Sequence, residues 1–428
     1  MKREAILCPD VPSPIMGSHA VKAGDFVFLG GQIASDYHNG LAAEVRTPPA
    51  AANAIVAAKV QSDYVLGTTQ KILGAAGSSL ANGVMIDQFV THPAAASAYL
   101  ETRARHVDPS IRPASTHIQL REFLVPKASV ALRLIAVADR GSAQKEMVYV
   151  EDIPKSPGGP FKGGAQGVKA GGLVFLTGQV ASDFQSSVAP EARVNPAFWY
   201  GSPIKLQTDY VLKRLQKVLE SAGSSLQDVV KADVYLTNMR DVYEMDEVWR
   251  QFFPEHPPAR AIIPATRLAP LDCIVEINMI ALERRAGIER AQVLAGDVPP
   301  PALHQPHAVR AGRFVFLSGL YATDTWDAPS ADAALHPEMP YFGSFGRRQT
   351  ESILRRAAAI CRAAGAQLED ILWMQAYYTD LREFQASLDA WQQAFSEAPP
   401  AAFAAGVEAP HAVPGCSIAM DAVALTAG

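Results

Sequence analysis

The sequence of 428 residues predicts an α+β fold that is repeated three times in tandem. Three segments share one pattern: VKAGDFVFLGGQIASD from Val21, VKAGGLVFLTGQVASD from Val168, and VRAGRFVFLSGLYATD from Val309. Their spacing of about 145 residues is far above the roughly 20 to 50 residues of solenoid repeats, so each copy predicts a separate domain. We expect domain 1 at 1–140, domain 2 at 141–284 and domain 3 at 285–428.

Each copy begins with a predicted strand followed by a helix. Apolar and β-branched residues fill 26–29, 173–176 and 314–317, each run closely preceded by Ala-Gly and followed by Gly, which favours short buried strands. In the middle copy, apolar residues recur at helical spacing from Tyr210 to Leu219, and Ala222-Gly223 supplies a C-terminal stop.

The second half of the middle copy predicts three more strands and one helix. A strand at 229–236 precedes a helix at 242–253 that Pro254 ends. The apolar segments 262–263 and 274–282 flank the turn-rich 268–272, which predicts a hairpin. Two helices then cover one face of a mostly antiparallel sheet in each domain.

The uncovered face of each sheet also needs a partner, because it is rich in apolar residues. Closure of the three domains about a pseudo-threefold axis is the simplest solution, so we expect an intramolecular pseudo-trimer. The same closure predicts a monomer or a weak dimer in solution. Segments rich in Pro and Gly, at 139–167 and 283–308, are long enough to link the domains.

Composition excludes several function classes. The net charge of −5 and pI of about 6.1, without a basic run, do not favour nucleic acid as a partner. The chain shows no signal-peptide pattern and no apolar run long enough for a membrane span, so we expect a cytoplasmic protein without membrane contact. Four isolated cysteines and the lack of HxxxH or HExxH spacing predict no metal site, and we expect no cofactor.

Several motifs carry a resemblance to a known family. AGxxVFxSGQ near the start of each copy, AGSSLQDVVKADVYLT and FFPEHPPAR in the middle copy, and the final VEINMIAL resemble the RidA/YjgF family of reactive-intermediate deaminases. The resemblance implies a chorismate mutase-like domain, trimeric assembly and a ligand cleft at each subunit boundary. It also implies hydrolysis of enamines and imines such as 2-aminoacrylate, with an Arg binding the substrate carboxylate and a Glu handling water.

By this resemblance, the Arg is Arg260 and the Glu is Glu276. The matching positions hold Ser115 and Ala131 in domain 1, and Ala402 and Ala419 in domain 3, so only domain 2 keeps both. In the predicted hairpin, Arg260 and Glu276 are cross-strand neighbours at one partly exposed cleft. A simple cross-strand ion pair is the alternative interpretation, and it would contribute only about 0 to 1 kcal/mol.

The resemblance places further substrate-binding positions in domain 2. They are Phe161 in the Gly-Pro-Phe segment, Thr177 and Gly178 in TGQ, Arg240 after the second strand, and Ile262. The implied activity is hydrolytic deamination or tautomerisation of a small carboxylate-bearing enamine, imine or ring-opened unsaturated acid. The alternative is a non-catalytic protein that binds or senses a small carboxylate.

Two residues beyond the Glu position, each copy has a different polar side chain. These are Arg133, Asn278 and Asp421. They are interpreted either as side chains at a surface or domain interface, or as part of three diverged pockets.

Overall fold

The computed structural model describes residues 1–47, 53–108, 112–154, 165–198 and 200–427. Domain 1 has two helices against one sheet, in the strand order β1-β2-β3-β7-β4-β5. Its elements are β1 (Arg3–Ile6), β2 (Ala20–Ala23), β3 (Phe26–Ile33), α1 (Ala54–Ala75), β4 (Gly83–Val90), α2 (Pro93–His106), β5 (Ala114–Gln119), β6 (Glu122–Phe123) and β7 (Val130–Val137).

Domain 2 repeats this plan, with the strand order β13-β12-β14-β10-β9-β8 and the short β11 paired to β14. Its elements are β8 (Glu146–Val148), β9 (Gly167–Ala170), β10 (Leu173–Leu176), β11 (Gln179–Val180), α3 (Pro203–Ser221), β12 (Val229–Leu236), α4 (Val242–Phe252), β13 (Ala259–Pro264) and β14 (Val275–Leu282). Gly223 follows α3 with φ +73°, a left-handed conformation that suits the predicted Gly stop.

Domain 3 has the strand order β15-β16-β17-β20-β18-β19, extended at its edge by β6 of domain 1. Its elements are β15 (Arg290–Val293), β16 (Ala308–Ala311), β17 (Phe314–Leu317), α5 (Phe345–Ala363), β18 (Ile371–Tyr378), α6 (Phe384–Ala394), β19 (Ala401–Gly406) and β20 (Ile418–Leu425). The predicted α+β repeat is confirmed in all three copies. Among the described residues, no helix has the length and apolar character of a membrane span.

The predicted hairpin in domain 2 is wrong. Strand β13 pairs in parallel with β12, and β14 pairs antiparallel with the other side of β12. Arg260 is opposite Ala232, whereas Glu276 is opposite Tyr235. One whole strand therefore separates the two residues, which cannot be cross-strand neighbours.

The uncovered faces of the three sheets meet around one apolar cluster. Phe26 and Phe314 occupy the equivalent position in domains 1 and 3, and Phe175 of domain 2 is the counterpart of Phe28. The ring of Phe26 lies 6.0 Å from Phe175 and 5.8 Å from Phe314. Residues of all three sheets contribute to this cluster. The contacts are those expected of a closed three-domain arrangement, because each sheet buries its apolar face against the other two.

A second group of inner-face side chains, the central polar cluster, joins the three domains by buried charges. Arg133 donates to Asp87 at 2.8 Å and to Asp233 at 2.7 Å, and Lys231 contacts Asp421 at 2.6 Å. Asn278 donates to Asp87 at 3.2 Å. Arg133, Asn278 and Asp421 therefore lie at the domain interfaces, which is the first of the two interpretations of these residues.

Candidate functional site at the boundary of domains 1 and 2

Arg260 lies where domain 2 meets domain 3. Its backbone N–H donates to Ser318 Oγ at 3.2 Å, and its carbonyl accepts from the backbone N–H of Gly319 at 2.9 Å. Ser318-Gly319 is the domain 3 counterpart of Thr177-Gly178. This boundary is therefore built from strand β13 of one domain and the loop after strand β17 of the next.

The charge of Arg260 is already neutralised inside the protein. The side chain is 0% exposed, forms an ion pair with Asp246 of α4, and has its guanidinium carbon 4.6 Å from the ring centre of Trp249. Its Nε also donates to Gln305 Oε1 at 3.3 Å. The arginine that was expected to be partly exposed is thus fully buried, and α4 supplies its counter-ion.

Little free space remains beside this arginine or beside Ala402, which has the corresponding position in domain 3. A cavity lined by Gln305, Ser318 and Gly319 measures about 30 Å³, and so does one lined by Gly31, Ala402 and Phe403. One water requires about 10–15 Å³ of such volume. Each cavity has room for about two or three waters and is too small for an amino-acid-sized ligand.

Glu276 lies at the other edge of domain 2, where it meets domain 1. A side chain at Gly178 would collide with Glu276 Oε1 and approach Thr116 of β5. Gly178 donates its N–H to the carbonyl of Ser115 at 3.1 Å, and the N–H of Ser115 donates to Thr177 Oγ1 at 3.3 Å. Thr177, Gly178 and Glu276 therefore come together as predicted, but around β5 of domain 1 and not around Arg260.

Burial changes the chemistry of this glutamate. It raises the pKa of Glu276 to about 8, against the opposing effect of the backbone N–H of His117, and Asp87 adds a further increase. A carboxyl group with this pKa is protonated at neutral pH. Glu276 can therefore donate a proton to a bound molecule.

A guanidinium does reach this boundary, but from a helix. Arg103 of α2 donates from Nη1 to Gln88 Oε1 at 2.7 Å and to Ser115 Oγ at 3.2 Å, and the residue is 3% exposed. Counted from the helix ends, Arg103 occupies the position that Trp249 has in α4 and Trp391 has in α6. Domain 1 therefore lacks the strand arginine at Ser115 but places another arginine against the same strand.

The remaining predicted positions do not join this site. Ile262 is 4% exposed on β13 and its carbonyl accepts from the Tyr321 hydroxyl at 3.3 Å, at the boundary with domain 3. Arg240 is exposed, and its N–H donates to Asn238 Oδ1 at 3.1 Å. Phe161 lies outside the described residues. Within the described ranges, no group of three His, Cys, Asp or Glu side chains could hold a metal ion.

Sequence reasoning missed Arg103 and His117. His117 could have been found, because it follows Ser115 by the same two residues that separate Ile262 from Arg260. Arg103 carries no motif of its own. Its role depends on how α2 packs against β4 and β5, which local sequence does not reveal.

Known proteins resemble this chain one domain at a time. The family model described as Endoribonuclease L-PSP matches residues 13–138, 159–283 and 297–426. A RutC family protein of Pyrococcus horikoshii is 38% identical over 137 residues, which is 32% of this chain and 97% of that protein. A RutC family protein of Saccharolobus solfataricus is 36% identical over 137 residues, or 32% of this chain and 97% of the relative.

Solved structures show the same coverage. A putative endoribonuclease from Thermotoga maritima is 31% identical and covers 32% of this chain and 98% of its own, with a TM-score of 0.27. RidA from an Antarctic Psychrobacter is 28% identical and covers 32% of this chain and 98% of its own, with a TM-score of 0.26.

Proposed function

Since the chain belongs to the Endoribonuclease L-PSP family, with three copies of its domain, we propose that it processes a small carboxylate-bearing molecule at the boundary of domains 1 and 2. Family membership supports a general role in reactive-intermediate deamination or small-molecule binding. The proposed reaction is hydrolytic deamination or tautomerisation of an enamine, imine or ring-opened unsaturated acid.

The observation that carries this proposal is that one boundary brings together a guanidinium and a protonated carboxyl. Arg103 contacts Ser115, the backbone of Ser115 is bonded to Gly178, and the Glu276 carboxyl lies against Gly178. A guanidinium suits bidentate capture of a carboxylate. A protonated carboxyl suits transfer of a proton to an imine nitrogen or an enamine carbon.

The other two boundaries do not favour this chemistry. Arg260 is paired with Asp246, so binding a carboxylate there would break a buried ion pair. The boundary of domains 3 and 1 has Ala402 at the Arg position, and Phe403 packs against Gly31. Desolvating a carboxylate without a cation costs several kcal/mol, which disfavours binding there.

Binding is tested first, by calorimetric titration with 2-oxobutanoate, a small 2-oxo acid. Arg103→Trp places in α2 the residue that α4 and α6 have at this position, so the variant is expected to fold. We expect it to lose binding by at least tenfold, because a charge-assisted contact contributes about 1.5 to 3 kcal/mol. Arg105→Ala, on the exposed side of the same helix, is the matched control. Equal affinity in Arg103→Trp and the wild type would show that a residue other than Arg103 binds the carboxylate.

Turnover separates the enzyme from the alternative, a carboxylate-binding or sensing protein. The substrate is an imine generated in the assay by a pyridoxal-phosphate lyase, and release of the 2-oxo acid is followed. Glu276→Gln is expected to lose turnover while it still binds 2-oxobutanoate. Binding without turnover in the wild type would favour the sensing role.

A further inference from the structure

His117 is a polar residue at a position that is apolar in the other two domains. It lies on β5, two residues after Ser115 and opposite Gln88 of β4. Ile262 and Ala404 occupy the equivalent positions on β13 and β19. Both counterparts pack in apolar clusters, so the fold itself does not require an imidazole here.

The imidazole is also unsatisfied within the described part of the chain. Both ring nitrogens are buried, and neither has a hydrogen-bond partner among the described residues. Leaving such a group unpaired lowers the stability of the fold. A histidine that lowers stability at a position where isoleucine and alanine fit is expected to have a ligand partner.

The surroundings of His117 also connect it to the proposed site. Its backbone N–H lies close enough to the carboxyl of Glu276 to act on its ionisation, and Arg103 acts on the imidazole from α2. The side chains of Ser115 and His117 lie on the same face of β5, since they are two residues apart. The backbone of His117 therefore lies beside the Glu276 carboxyl, and its side chain lies on the face of β5 where Arg103 contacts Ser115.

We propose that His117 is the base of this site, paired with Glu276 as the acid, and that the two together catalyse hydrolysis of a small 2-imino acid. This inference rests on the proposed function and adds a catalytic residue to it. Burial, followed by the effect of Arg103, lowers the pKa of His117 to about 4, so the ring is neutral and can accept a proton at neutral pH.

The reaction balances in two steps. In the first step, a water oxygen bonds to the imine carbon, His117 takes one water proton, and the Glu276 carboxyl gives its proton to the nitrogen. In the second step, the hydroxyl proton passes to the Glu276 carboxylate as the carbonyl forms. The protonated His117 gives its proton to the departing nitrogen, the carbon–nitrogen bond breaks, and ammonia leaves.

The test uses His117→Ile, which copies Ile262 of domain 2 and is therefore expected to fold. Loss of a general base is expected to lower kcat by about 10² to 10⁴, with binding of 2-oxobutanoate within threefold of the wild type. The wild type should lose activity below pH about 4, as His117 is protonated, and above about 8, as Glu276 ionises. The acid-side loss should disappear in the variant. His411→Gln, which removes another buried neutral histidine outside this boundary, is the control.

Parallel measurement of Glu276→Gln distinguishes the two proposals. Suppose that Glu276→Gln loses turnover, whereas His117→Ile keeps the wild-type kcat and still loses activity below pH about 4. The role of His117 is then overturned and the proposed function survives. If the wild type does not turn over the imine, or Glu276→Gln is fully active, both are overturned. A fall in binding of 2-oxobutanoate equal to the fall in kcat would make His117 a binding residue and contradict its role as the base.

Discussion

Two arginines of this chain show how the partner decides what a guanidinium does. Arg260 is held by Asp246 of its own domain and stacks on Trp249, which stabilises the packing of α4 on β13. Arg103 donates to the neutral groups Gln88 and Ser115. A carboxylate that bound to Arg260 would first have to break this buried ion pair.

Glu276 gives the first prediction at this scale, and it concerns stability. The protonated carboxyl stabilises the fold fully below pH about 4.5, and this contribution is lost as the pH rises through about 8, because unfolding releases the group to ionise. Glu276→Gln removes the ionisation. We expect nearly equal stability near pH 4.5 and a gain of about 4 kcal/mol in the variant at pH 8, since one pKa unit corresponds to about 1.4 kcal/mol.

Urea unfolding of both proteins from pH 4.5 to 9 measures this difference. Glu101→Gln changes a carboxyl whose side chain is 58% exposed and controls for charge removal at the surface. A stability difference that does not change with pH would show that Glu276 is ionised in the folded protein.

At the scale of elements, the sequence predicts strands and helices well but predicts strand order poorly. Strand β12 has the predicted bounds, and α4 ends one residue before its predicted end. The hairpin prediction failed because the turn-rich 268–272 connects two strands that flank a third. Periodicity and turn residues act locally, whereas the insertion of β12 between β13 and β14 is decided by long-range pairing.

The pairing of α4 with β13 gives the second prediction. Arg260→Ala leaves Asp246, which is 4% exposed, with the exposed Arg250 in place of its buried counter-ion, and is expected to cost about 3 kcal/mol. Adding Asp246→Leu should recover most of this loss, because Leu388 and Ala402 occupy the two positions in domain 3. Turnover per folded molecule should not change.

Urea midpoints of the single and double variants test this pairing, with Arg250→Ala as the control. Arg250 also pairs with Asp246 but is 51% exposed, so its loss is expected to cost less than about 1 kcal/mol. A double variant no more stable than Arg260→Ala would mean that the loss comes from Arg260 packing on Trp249 and not from the unpaired charge.

At the scale of the whole molecule, the repeat predicts three boundaries but not how they differ. The resemblance implies a cleft at each boundary, and Arg260 and Glu276 were predicted to share one, but the structure places them at two different boundaries. The central polar cluster adds to the asymmetry, because Arg133 of domain 1 is bonded to both Asp87 and Asp233. How the three boundaries differ follows only from contacts of this kind across the domain interfaces. The monomeric or weakly dimeric state stays a prediction.

The last prediction is that one small carboxylate binds per chain. The boundary of domains 1 and 2 has Arg103, the boundary of domains 2 and 3 has an arginine already paired with Asp246, and the third has Ala402 in place of a cation. Calorimetric titration with 2-oxobutanoate should therefore give one site per chain. We expect Arg103→Trp to remove this site. We expect Arg260→Ala to retain it when binding is measured on the folded fraction. Two or three sites of similar affinity would contradict this, and they would show that another boundary supplies a cation to the ligand despite its apolar or ion-paired lining.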